Sequence, residues 1–203
     1  MANANKASGL SPVQYAKGNQ WSGQARTYFI ASTDGNAYAI GDPVKSATGA
    51  AAADANGVPG VTLAVAGTSN TIRGVIVGIG RTESAVMANW ASLDSIIIPA
   101  TKTFNWYVMV VDDPDVIFEV QEDTTNATPL TAAAVGQNAN LSSAANNGFL
   151  SGWQMNNNTV ATTAGLQLRL WGLSRKADNA FGANAKWLVT INQHELALGS
   201  VGV

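Results

Sequence analysis

The 203-residue sequence contains no cysteine, which excludes disulfides, Cys-ligated zinc, iron–sulfur clusters and thiol nucleophiles. Charge is scarce as well: Asp, Glu, Lys and Arg make up 12% of the chain, against roughly 25% in soluble proteins generally. With 11 basic and 13 acidic residues, the net charge of −2 offers no footprint for nucleic acid or an anionic membrane. No run approaches the roughly 18 apolar residues of a spanning helix. Residues 1–10 carry one Lys and no apolar stretch of signal-peptide type, so a soluble product made in the cytoplasm is expected. The only histidine is His194, which leaves a serine triad one candidate base, and no Gly-x-Ser-x-Gly elbow accompanies it. A surface or interface position is expected for it, and the chain reads as not an enzyme.

What the chain does have is apolar and neutral-polar residues: 46% are hydrophobic, enough for one domain with a sizeable core. Residues 1–20 mix Ala, Asn, Gly, Ser and Pro12 with scattered apolar side chains and read as an extended N-terminal arm. Residues 21–203 read as a single β-rich domain with a mobile Ala/Gly-rich loop near 46–60. Strands are expected at 26–31, 37–40, 61–66, 72–79, 95–99, 106–111, 116–121, 165–173 and 186–193, where β-branched and aromatic residues gather or alternate with polar ones. Residues 32–36 should turn the first two into a hairpin, and 61–66 should pair with 72–79. Leu166, Leu168 and Leu170 should face the core. One short helix is expected within 129–145. Short strands with turn signals between them argue for an all-β, antiparallel sandwich or barrel.

Gly74, Gly78 and Gly80 follow strand-like residues, but Glu83 stands where a dinucleotide fingerprint needs its third glycine, so strand glycines at a bend or bulge are expected and no cofactor is implied. Asp112, Asp113 and Asp115, with Glu119, Glu122 and Asp123 nearby, have oxygen density for Ca²⁺ without the EF-hand spacing. They read as a solvated turn, with no metal site assigned. Sequons at Asn126, Asn140 and Asn157 carry no weight in an Asn-rich chain without a signal peptide. Six tryptophans are many for this length. Trp106, Trp171 and Trp187 fall in strands, as core or subunit contacts. Tyr15, Trp21, Trp90 and Trp153 are the interface candidates, with a sugar-stacking role as the alternative for Trp21, Trp90 and Trp153.

Several segments occur together in order: Met1-Ala2-Asn3-Ala4-Asn5, Gly18-Asn19-Gln20-Trp21, Gly41-Asp42-Pro43-Val44, Gly57-Val58-Pro59-Gly60-Val61, Gly74-Val75-Ile76-Val77-Gly78 and Val111-Asp112-Asp113-Pro114-Asp115-Val116. Over residues 1–121 this pattern resembles a group of structural proteins of tailed-bacteriophage virions, some of which are similar to capsid decoration (cement) proteins of jelly-roll type. The resemblance implies a non-enzymatic protein on the outer head surface, partnered by the major capsid protein and by itself, as a homotrimer or alternatively a homodimer. It implies stabilisation of the shell against internal DNA pressure. A tail or fibre component and a carbohydrate-binding β-sandwich are the alternatives. Deleting residues 1–20 is expected to leave the β body folded and weaken head binding.

Overall fold

A computed structural model describes residues 3–81 and 96–197. Among them fourteen strands are present and almost no helix. In chain order they are β1 (Ser11–Tyr15), β2 (Arg26–Ile30), β3 (Tyr38–Ala39), β4 (Pro43–Ser46) and β5 (Val61–Leu63). Then come β6 (Gly74–Gly80), β7 (Ile97–Ile98), β8 (Trp106–Val111), β9 (Val116–Gln121) and β10 (Asn138–Ala139). The chain closes with β11 (Leu141–Ser142), β12 (Gln154–Met155), β13 (Leu168–Leu173) and β14 (Lys186–Ile191). Sheet 1 has the order β1-β9-β14-β13-β10 and sheet 2 the order β2-β8-β6-β4-β5. The pairs β11-β12 and β3-β7 form two small ribbons, and every pairing between these strands is antiparallel.

Alternation in β9, β13 and β14 sends Val116, Phe118, Val120, Leu168, Leu170, Trp187 and Val189 to one side of sheet 1. There they share a core with Met155 and Trp153 near the first ribbon and with Val75 and Val111 of sheet 2. The other side of sheet 2 builds a second core from Tyr28, Ile76, Ile79, Trp106, Val108 and Val110, closed by Tyr38 and Ile98 of the second ribbon. Neighbouring residues Val75 and Ile76 therefore serve different cores. This is why β6 reads as an unbroken apolar run and not as an alternating one.

Several local expectations are corrected. Residues 32–36 do turn the chain, but β2 pairs with β8 and β3 with β7, so no hairpin forms. The turn is held instead by Lys102, whose buried ammonium donates to the carbonyls of Asp34 and Asn36 at 2.6 Å each. β4 lies between β5 and β6, which keeps those two apart. The 46–60 segment is tied down: Tyr107 donates to Asp54 at 2.8 Å, and the Gly60 N–H bonds the Ala52 carbonyl at 2.8 Å. A side chain at Gly60 would run into the Ala51 carbonyl oxygen. The expected helix is a single 3-10 turn at Ala132–Ala134. A register shift between Ile76 and Gly78 places the bulge read from the β6 glycines.

The amino-terminal segment is extended but is part of the body. β1 pairs with β9, and Leu10 is 1% exposed in the first core. Asn3 donates to the Ala180 and Ala183 carbonyls at 2.8 and 3.0 Å, and the Lys6 N–H donates to Gln121 at 3.0 Å. Low apolar content does not free this segment, because main-chain pairing to an open sheet edge and one apolar anchor suffice to hold it. Its deletion would expose the edge of β9 and leave a hole where Leu10 packs.

Candidate functional site

The outer side of sheet 1, opposite its core, carries an open groove of about 1120 Å³. Strand parity builds it. Ile117 and Glu119 of β9, Leu188 of β14 and Trp171 of β13 all have the opposite parity to the core residues. The register shift between Leu170 and Gly172 gives Trp171 no partner of its own across the ladder, and its ring stands 48% exposed. Its indole N–H donates to the Thr190 hydroxyl at 3.2 Å, which fixes the ring on the sheet. Phe181, also 48% exposed, comes from the β13–β14 loop and lies 5.7 Å from the buried Trp187 ring. Glu119 is 8% exposed and accepts from the Ser174 hydroxyl and from the Lys176 ammonium at 2.8 Å. A charge so nearly buried is held there by these two donors.

Of the interface candidates, Tyr15, Trp21 and Trp153 do not line this groove. Tyr15 and Trp21 are half-buried against the first core, and both bond Gln24: the Tyr15 hydroxyl donates to its side chain at 3.0 Å and the Trp21 indole to its carbonyl at 3.2 Å. Trp153 is corrected: at 3% exposure it is packed in the first core and leaves almost none of its ring at the surface. Trp90 and Glu83 lie outside the described residues. Trp106 and Trp187 are core residues, whereas Trp171 is not. The signal for Trp171 was its parity with Arg169, opposite to the three leucines. Nothing local marks Phe181, which depends on where its loop lands.

Asp112 is not solvated. Buried at the four-residue crossover from β8 in sheet 2 to β9 in sheet 1, it accepts from the Tyr28 hydroxyl at 2.6 Å and pairs with Arg26 and Arg73 at 3.4 and 3.6 Å. Asp113 closes the turn by accepting the Asp115 N–H at 2.9 Å. Among the described residues, no three His, Asp or Glu side chains are placed to hold a metal ion. No helix there is long and apolar enough to cross a membrane. Asn140 and Asn157 of the sequons are buried.

Two other buried groups stand out. Glu122 is fully buried; one oxygen accepts from the Trp187 indole at 3.0 Å and the other has no hydrogen-bond partner. Burial pushes its carboxyl up to about 7, the neighbouring Asp123 charge adds to this, and the Trp187 indole and Leu130 amide oppose it. His194 is also buried, against expectation, in a bridge to Ile72. Its Nδ1 accepts the Leu196 N–H at 3.0 Å and its Nε2 has no partner, and burial holds the imidazole below its ordinary range despite nearby acids. Neither group faces the groove.

No protein-family model, curated protein or solved structure matches this chain.

Proposed function

We propose that this chain is a non-enzymatic virion protein of a tailed bacteriophage, a decoration protein that binds the outer head surface as an oligomer and stabilises the shell against internal DNA pressure. In this reading the partners are the major capsid protein and further copies of the chain, three first and two second, and the antiparallel body is wound as a jelly-roll-like sandwich. One observation carries it. Four of the segments that resemble the virion group, those within residues 41–116, lie side by side in or beside β5, β4, β6 and the end of β8, and they hold backbone in place. Asp42 accepts the Ala39 N–H at 2.7 Å. Gly74 allows the Val111 carbonyl to approach to where a side chain would sit. Asp112 ties the crossover to Tyr28, Arg26 and Arg73. Motifs spent on rigidity suit a protein whose task is mechanical, and weak contacts repeated over a symmetric shell add by multivalency.

The test is the copy number of this chain relative to the major capsid protein in gradient-purified virions, by quantitative mass spectrometry. A simple fraction of the shell, on the order of hundreds of copies, supports decoration. A handful of copies moves the chain to the tail, and absence from the particle overturns the reading.

A further inference from the structure

The groove on sheet 1 combines three properties. It presents two half-exposed aromatic rings, Trp171 and Phe181, on a rigid sheet. It carries planar hydrogen-bonding side chains, Gln14 and Gln20, from β1 and the turn that follows it. It also encloses a nearly buried carboxylate, Glu119, whose two oxygens each take one donor and so each keep a lone pair for another. The charges of the lining are Glu119, Lys176 and the exposed Arg175, a local balance of +1 in a chain whose net charge is −2.

We propose that this groove binds an acidic oligosaccharide, a chain of pyranose rings bearing carboxylates. A pyranose has an apolar C–H face, which stacks on an aromatic ring, and a rim of hydroxyls that both donate and accept. Trp171, held by Thr190, offers the ring. The Glu119 oxygens accept sugar hydroxyls, Gln14 and Gln20 exchange donors and acceptors with others, and Arg175 takes the sugar carboxylate in its planar fork. The groove's volume, about 1120 Å³, is slightly above the roughly 300–1,000 Å³ of small-molecule sites, which leaves room for several linked rings. Charge argues against a second copy as the occupant. Protein interfaces are depleted of charge at their centres, and a closing subunit would have to desolvate the exposed Lys176 and Arg175 together. A hydrated sugar leaves them wet.

This inference does not rest on the decoration reading: it concerns the isolated chain, whereas copy number concerns the particle. The experiment is isothermal titration of the purified full-length protein with hexagalacturonate and with neutral maltohexaose, at about 50 and 300 mM salt. Hexagalacturonate is expected to bind at least tenfold more tightly than maltohexaose at low salt and to weaken severalfold at high salt. Trp171→Ala should reduce its affinity tenfold or more, and Phe181→Ala should reduce it less. Arg175→Gln should bring the two sugars within about threefold of each other, the discrimination expected when one exposed charge contact is lost. Unchanged thermal unfolding of each variant separates lost contact from lost fold. Absence of binding by both sugars overturns the proposal, as do equal affinities for the two in the wild type, or a Trp171→Ala variant that binds normally. Sedimentation equilibrium supplies a further refutation: an oligomer that Trp171→Ala dissociates makes this groove a subunit contact.

Discussion

Gln167 and Glu122 are both fully buried polar side chains in the body of the protein, and they are buried on opposite terms. Gln167 uses everything it has: its oxygen accepts the Gly67 and Leu141 N–H groups at 3.0 and 3.1 Å, and its nitrogen donates to the Val65 and Asn70 carbonyls at 2.8 and 3.1 Å. It joins the 65–70 loop to β11, segments that do not otherwise pair. Glu122 leaves one oxygen with no hydrogen-bond partner and carries an ionisable proton. A neutral amide with every partner in place is a clasp, and a half-satisfied carboxyl is a conditional one, sound only while protonated.

The largest expected effect breaks the first site. Gln167→Ala strands four backbone groups, and denaturant unfolding should show a loss of about 4 kcal/mol with little change in slope. Glu122→Gln tests the second site with the opposite sign. The folded carboxyl sits at about 7 and the ordinary value is 4.5, so the folded state holds the proton more tightly than the unfolded one. The wild type should therefore lose stability as pH rises from about 4.5 to about 7, by about 2 kcal/mol once water penetration is allowed for, and the amide should abolish that loss. At pH 8 Glu122→Gln is expected to melt above the wild type.

A finer prediction concerns His194, buried neutral. A depressed imidazole takes up its proton more readily in the unfolded chain, so it removes stability as pH falls below about 6.5. In the wild type this slope is masked by the opposite slope of Glu122. The Glu122→Gln background should expose it as a fall in melting temperature on acidification from pH 7 to 5, and Glu122→Gln combined with His194→Gln should flatten the profile. The smallest effect belongs to the surface: Trp171→Ala loses one exposed hydrogen bond and should change stability by less than about 0.5 kcal/mol. A larger loss would mean that the groove holds the fold together.

The strands themselves were legible where β-branched and aromatic residues gather: 116–121 was read with the bounds of β9 although both its faces are buried, and Leu168 and Leu170 face the core as expected, whereas Leu166 is buried just ahead of β13. Their pairing was less so. A hairpin between 26–31 and 37–40 was the local choice, but β2 found β8, and nothing in either segment names a partner some 80 residues away. Buried polar residues misled most. Gln167, Asp112 and His194 look like surface residues in sequence, and they are interior because distant donors and acceptors reach them. Trp153 and Trp171 exchanged places for the same reason: a loop segment was drawn into the core, while a strand position of outward parity stayed open. The groove combines β1, β9, β13, β14 and the loops that carry Gln20, Val135 and Phe181, so no one stretch of sequence could display it.

The strap of residues 3–15 also bears on how the molecule is made. Asn3 is held by carbonyls 177 to 180 residues further along, and β1 waits for β9. Contacts of such separation form slowly, because the long loop must close before they give any stabilisation. During synthesis the first segment emerges long before its partners exist, and the edge of β9 is bare from its own appearance until β1 settles on it. The interval in which a neighbouring chain could take that edge closes only when each chain's own beginning returns to it.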